Sequence, residues 1–252
     1  FQNLLSVQDL TIDDNDELTV ITGFTNVNSL NSLTVTSNNQ LQICCVLYDL
    51  IQLATGTVNI NGNGGVCDDP QAIANSCGIT FCGLSGQLTI ISNQPDLDNI
   101  MGCTDFYGDL HIQDQQSSNT FTNIDLPNLK TIEGFLTISN PNTDISFDSL
   151  TQIGGNLVVY GWGHCCNYQN YIQGAGVDTI NFPSLQSIAG DITLSTLSDL
   201  DYLNFDTLSS VNNISISHGS QPSNSQILNI STFNNLQTVN NIMIQSTRID
   251  TI

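Results

Sequence analysis

Apolar residues recur along the chain in groups of four: one position, another three later, a third three to five later and a fourth two beyond that. The cleanest copies are Leu129, Ile132, Leu136 and Ile138; Leu185, Ile188, Ile192 and Leu194; and Leu236, Val239, Ile242 and Ile244. The closing residues form the series Ile12, Val35, Ile60, Ile90, Ile112, Ile138, Val159, Leu194, Ile216 and Ile244, mostly 21 to 25 residues apart with some longer steps. A fixed period of this length is the mark of a solenoid, in which each repeat buries its apolar face against its neighbours. Within each repeat the closing pair brackets one residue, as in Leu10-Thr11-Ile12 and Leu136-Thr137-Ile138, which is strand alternation with the apolar members inward. A second alternating cluster follows in most repeats, such as Leu18 and Val20, Leu41 and Ile43, or Leu203 and Phe205. Asn-, Gly- and Ser-rich corners separate the clusters, and no capped helical stripe stands out.

The pattern predicts an all-β fold, a right-handed parallel β-solenoid of about ten rungs, formed by residues 1–252 as one repeat domain. Longer loops near 61–82 and 160–180 should protrude on one side. The outward column of the main strands is expected to be Thr11, Thr34, Asn59, Thr89, His111, Thr137, Val158, Thr193, Ser215 and Met243. Its threonines raise ice binding as an idea, which the interruptions at His111, Val158 and Met243 weaken.

Charge narrows the choice of partners. The 252 residues carry 2 Lys+Arg against 23 Asp+Glu, a formal net charge of −21. Lys130 and Arg248 cannot supply the basic footprint that nucleic-acid binding or an anionic membrane demands. At 39% hydrophobic residues the chain can bury a core, and no apolar run has the length of a membrane-spanning helix.

The phrases Pro127-Asn128-Leu129-Lys130-Thr131-Ile132-Glu133-Gly134-Phe135-Leu136-Thr137-Ile138 and Phe182-Pro183-Ser184-Leu185-Gln186-Ser187-Ile188-Ala189-Gly190-Asp191-Ile192-Thr193-Leu194 resemble the receptor L domain. That family is a leucine-rich-repeat-like β-helix of receptor ectodomains and some surface proteins. The resemblance implies the fold, while the function it implies ranges from ligand binding to scaffolding.

Eight cysteines, including the adjacent pairs Cys44-Cys45 and Cys165-Cys166, favour an oxidising, extracellular or cell-surface setting. Repeat arithmetic places Cys44 or Cys45 near Cys67 on the next rung, and Cys82 follows Phe81, whose place in the repeat is that of Cys103. With Cys77, these six residues allow three local bridges and fifteen pairings. Cys165 and Cys166 form a vicinal disulfide or bond another chain, and a metal site with His164 is the weaker alternative because adjacent residues chelate one zinc poorly. Sequons at Asn213 and Asn229 both alternate with inward neighbours, so both are expected to face solvent and carry glycans.

Catalytic signatures are weak. Asn142-Thr143-Asp144, Asp68-Asp69, His218-Gly219 and Arg248-Ile249 are fragments of the polygalacturonase signature in the wrong order, so no enzyme and no cofactor are expected. Asp13-Asp14-Asn15-Asp16-Glu17 reads as a solvated acidic turn, with Ca²⁺ as the alternative. Tyr160, Trp162, Tyr168 and Tyr171 form the best candidate contact patch on the sequence, with packing of the loop as the plainer reading.

The two ends suggest a further expectation. Phe1-Gln2-Asn3-Leu4-Leu5-Ser6-Val7 matches Phe233-Asn234-Asn235-Leu236-Gln237-Thr238-Val239, and the chain stops at Ile249-Asp250-Thr251-Ile252, where the next such segment is due. Phe1, Leu4, Val7, Ile249 and Ile252 are therefore the candidate assembly ends of a non-enzymatic structural protein that stacks head to tail into a fibre, its partner being itself. The alternative is a ligand-binding or adhesion ectodomain that recognises a cell-surface or carbohydrate ligand.

Overall fold

The structure, a computed structural model, describes residues 1–114, 121–161, 177–197, 200–217, 228–229, 233–245 and 249–251. It divides into two compact units, Phe1–Phe81 and Cys82–Ile252, a division that the unbroken repeat does not mark.

The first unit contains β1 (Ser6–Asp13), β2 (Ser29–Thr36), α1 (Val46–Leu53), β3 (Val58–Asn61) and α2 (Pro70–Ser76). Its three strands pair in parallel, placing Thr11, Thr34 and Asn59 side by side and, next to them, Ile12, Val35 and Ile60. After each strand the backbone turns through a left-handed residue, at Asp14, Ser37 and Gly62. The next residue is asparagine each time, and these side chains form a ladder. Asn38 donates to Asn63 Oδ1 at 2.9 Å and to the carbonyls of Ile12 and Thr36, while Asn15 donates to Asn38 Oδ1 at 3.0 Å. Asn38 is fully buried, so every one of these bonds replaces one that water would otherwise make.

The sequence expectation of strands alone is corrected here. Residues 46–53 form a helix with Leu47, Leu50 and Ile51 buried, a one-sided stripe too short to stand out beside the Leu41 and Ile43 alternation. Of that alternating pair only Leu41 is buried, since Ile43 and its bridge partner Val20 are exposed. The stretch at 61–82 is no simple protruding loop. Asp69 caps α2 by accepting from the Ala72 amide at 2.8 Å, and Cys67, Ile73 and Ala74 are buried. Disulfides Cys44–Cys67 and Cys45–Cys77 tie the start of α1 to this stretch. Adjacent cysteines serve both bridges because Cys44 points inward and Cys45 outward. Replacing Cys45 and Cys77 together by serine is expected to cost about 2 to 4 kcal/mol, read by denaturant unfolding of the oxidised protein.

The second unit runs β4 (Gly83–Ile91), α3 (Gln94–Asn99), β5 (Asp105–Gln113), β6 (Ile124–Asp125), β7 (Thr131–Ile132), β8 (Leu136–Ser139), β9 (Ile145–Ser146), β10 (Gln152–Ile153) and β11 (Leu157–Tyr160). It continues with β12 (Thr179–Asn181), β13 (Ser187–Ile188), β14 (Ile192–Ser195), β15 (Tyr202–Asn204), β16 (Asn213–Ser217), β17 (Leu228–Asn229), β18 (Asn241–Gln245) and β19 (Ile249–Thr251). Three parallel ladders result. One is β4-β5-β8-β11-β14-β16-β18, a second is β5-β7-β10-β13, and a third is β6-β9-β12-β15-β17-β19. Among the described residues no sheet closes into a barrel.

Two of the three cleanest apolar groups of four are wholly buried in this core, while of the third Leu236, Val239 and Ile244 pack part-buried against it and Ile242 is exposed. Leu129, Ile132, Leu136 and Ile138 are all buried, as are Leu185, Ile188, Ile192 and Leu194. Phenylalanines one repeat apart stack face to face, Phe147 on Phe182 at 5.2 Å, Phe182 on Phe205 at 5.4 Å and Phe205 on Phe233 at 5.5 Å. Glycine in the Ile-x-Gly-x-Leu phrase has a steric cause. Gly134 donates to the Gly108 carbonyl at 2.9 Å, and a Cβ there would lie 1.9 Å from Asp109 Oδ1. Disulfide Cys82–Cys103 joins the residue before β4 to the turn before β5.

One carboxylate in the third ladder is poorly accommodated. Asp125 Oδ1 is buried without a hydrogen-bond partner, and burial, reinforced by the charge of Asp148, raises its pKa above the usual carboxylate range. A raised folded-state pKa makes stability greatest at acid pH and lost as pH climbs from the unfolded value through the folded one. Asp125→Asn is therefore expected to stabilise the protein at neutral pH and to flatten that fall, measured by melting temperature between about pH 3 and 7.

Candidate outward strand face

Alternation along the first ladder turns one residue in two away from the core. Registers align His111, Thr137, Val158, Thr193, Ser215 and Met243 in one outward column. Gln113, Ser139, Tyr160, Ser195, Ser217 and Gln245 make a second, in which Ser139 is itself buried. The faces of these columns are hydroxyl- and amide-rich, with His111 Nε2 hydrogen-bonded to Ser139 Oγ at 2.8 Å. Burial lowers the His111 pKa below its usual value, which favours the neutral ring.

At the start of the strands runs a polar spine. Asp109 accepts from the Phe135 amide at 2.9 Å, Asn156 from the Asp191 amide at 2.8 Å, and Asp191 from Asn213 Nδ2 at 2.7 Å. Asn213 Oδ1 in turn accepts from Asn241 Nδ2 at 2.8 Å. Asn213 does face outward by alternation, yet it is not free of partners. Its amide nitrogen, the atom a glycan would occupy, is half-buried and bonded within the ladder. Asn229 lies on β17, and its side chain is outside the described residues.

The column predicted from sequence fails at β4. A bulge between Gly83 and Leu88 shifts the register, so Thr89 pairs with Leu110, Ile90 with His111 and Ile91 with Ile112. A one-residue slip exchanges the two faces of a strand. Ile91 is buried, whereas Leu88 and Ile90 face outward at 49% and 52% exposure. Gly83 and Gly86, at φ +78° and +69°, supply the left-handed turns of the bulge, and these closely spaced glycines in the first half of the strand are the signal the sequence offers. Glu133 fastens the bulge by accepting from Ser85 Oγ at 2.5 Å and from the Gly108 amide at 2.8 Å.

Other candidates fall apart from this face or outside the described residues. Tyr160 is half-buried at the end of β11, while Trp162, Tyr168 and Tyr171 lie outside the described residues, as do His164, Cys165, Cys166 and His218. Phe1 is exposed and stacks on Phe24 at 5.1 Å, Leu4 is half-buried, and Val7 pairs with Leu30. Ile249 pairs with Leu228 on β17, and Arg248 and Ile252 lie outside the described residues. In the acidic corner Asp13 accepts from Thr36 Oγ1 and Asn15 belongs to the asparagine ladder. Among the described residues no group of three or more His, Cys, Asp or Glu side chains is placed to hold a metal ion, and no helix is long and apolar enough to cross a membrane.

The strand ladders with their Ile-x-Gly-x-Leu corners span the segment that decides the comparison. Residues 102–190 match the family model of the receptor L domain. The matched segment runs from just before β5 through β13 and contains the first phrase that carries the resemblance and the second as far as Gly190. No curated protein and no solved structure matches the chain. The receptor L domain match and three disulfides fit an extracellular or surface protein.

Proposed function

We propose that the chain is a non-enzymatic, ligand-binding or adhesive part of an extracellular or cell-surface protein. In this reading each unit is a run of right-handed β-solenoid rungs, and the outward strand face of the second unit carries the recognition. The observation that supports it best is the receptor L domain match over residues 102–190, which coincides with the parallel ladder of β5, β8 and β11 and its half-buried outward columns. Disulfides that brace both units suit a chain that works outside the cell. The match favours this role over the head-to-tail fibre expected from the similarity of the two chain ends.

The two roles separate in one experiment. Oxidised chain, labelled with a fluorophore, is examined by light scattering over a dilution series and then added to cells of the source organism. Dispersed chain that binds the cells saturably supports recognition. Polymers that persist on dilution, with no saturable cell binding, overturn it in favour of the fibre.

A further inference from the structure

The register slip in β4 has exposed what the repeat pattern would bury. Leu88 and Ile90 are aliphatic residues at 49% and 52% exposure, and Tyr107 on the adjoining strand is at 45%. The three belong to one outward surface, since Leu88 is opposite Asp109, Ile90 opposite His111 and Tyr107 opposite Gly83. A run of aliphatic and aromatic carbon on a polar strand face loses free energy to water unless something covers it. This exposure is held in place, because the bulge is fixed by Gly83, Gly86 and the double hydrogen bond of Glu133.

The surroundings are acidic. Asp109 lies on the same face and Asp105 two positions along from Tyr107, with Glu133 at the corner behind. Asp105 is held below the usual carboxylate range by the hydroxyls of Thr131 and Thr104, with a smaller contribution from Lys130, so it is a carboxylate at neutral pH. With 23 acidic against 2 basic side chains, the whole protein adds a long-range field of the same sign.

We propose that the outward face of β4 and β5 docks a cationic, amphipathic segment of a protein partner, its apolar side chains covering Leu88, Ile90 and Tyr107 and its lysines or arginines meeting Asp109 and Asp105. This deepens the recognition role proposed above and rests on it. The apolar contact sets the affinity, and the charges set the sign of the partner and the speed of encounter.

Three synthetic peptides of equal length test the pairing on the full oxidised chain: one of leucine and lysine, one of serine and lysine, and one of leucine and glutamate. By fluorescence anisotropy the leucine-lysine peptide is expected to bind about tenfold more tightly than the serine-lysine peptide, and the leucine-glutamate peptide not at all. Replacing Leu88 and Ile90 together by serine should abolish that tenfold difference while leaving the weaker serine-lysine binding unchanged, and this retained binding, with an unaltered melting temperature, shows the variant folded. Asp109→Asn should weaken both lysine peptides, and Tyr202→Ser, on the third ladder, neither. Equal binding of the two lysine peptides, or a difference that survives the double serine variant, overturns the patch. Saturable cell binding that persists in that variant also overturns the patch while leaving the recognition role intact, whereas loss of cell binding by the wild-type chain removes the role itself.

Discussion

Replacing Phe182 by alanine is expected to lower the stability of the second unit by about 3 to 5 kcal/mol, the largest effect of any single apolar truncation proposed here. The ring is fully buried and stacks on both neighbours, Phe147 at 5.2 Å and Phe205 at 5.4 Å. Its loss opens a cavity that rigid neighbouring rungs cannot close, and breaks two aromatic contacts worth about 0.5 to 1.5 kcal/mol each beyond their burial. Phe182→Leu keeps most of the volume and should cost about 1 to 2 kcal/mol. Urea unfolding followed by circular dichroism measures both, and a cost near zero for the alanine variant would mean that the phenylalanines are not stacked in a closed core.

A comparable loss is expected in the first unit when Asn38 becomes leucine. Its amide supplies the carbonyls of Ile12 and Thr36 at 3.0 and 2.8 Å and Asn63 Oδ1 at 2.9 Å, while its oxygen receives the Asn15 backbone and side-chain amides at 3.2 and 3.0 Å. Leucine is close in size yet leaves those groups buried and unpaired, at about 1 to 3 kcal/mol for each one that water cannot reach. The expected total is about 3 kcal/mol or more. Asn38→Asp provides an internal check, because a carboxylate facing carbonyl oxygens is resisted more strongly as it ionises. Its destabilisation should grow as pH rises from about 4 to 7, and a flat profile would place residue 38 in contact with water.

The parts of the fold that were legible in the sequence are those where one physical rule acts alone. The buried quartets at Leu129 to Ile138 and Leu185 to Leu194 follow from strand alternation, and Cys44 proves to be one rung from Cys67 as the repeat arithmetic allows. The pattern failed where two rules compete. At Ile90 an apolar residue in the right place for the core was turned outward because glycines at 83 and 86 permitted a bulge that the period does not contain. At 46–53 an eight-residue helix hides among alternating apolar residues, and Asp69-Pro70 starts a helix inside a stretch that the repeat spacing marks only as a long loop. Asn213 illustrates what alternation alone does not record. A sequon in a strand looks exposed by alternation, while its neighbours one rung away, Asp191 and Asn241, occupy its amide across a distance in sequence that no local motif records.

The recognition role turns most directly on whether the outward face of the first ladder is the binding surface. Arginine placed at Thr137 and Thr193, one and three strands on from His111, would crowd that face without touching the core. Cell binding of the oxidised chain should then fall at least tenfold, with the melting temperature unchanged, whereas arginine at the exposed Thr207 corner should leave binding intact. Full cell binding by the Thr137→Arg, Thr193→Arg chain would contradict the account and move the search for a ligand to another surface.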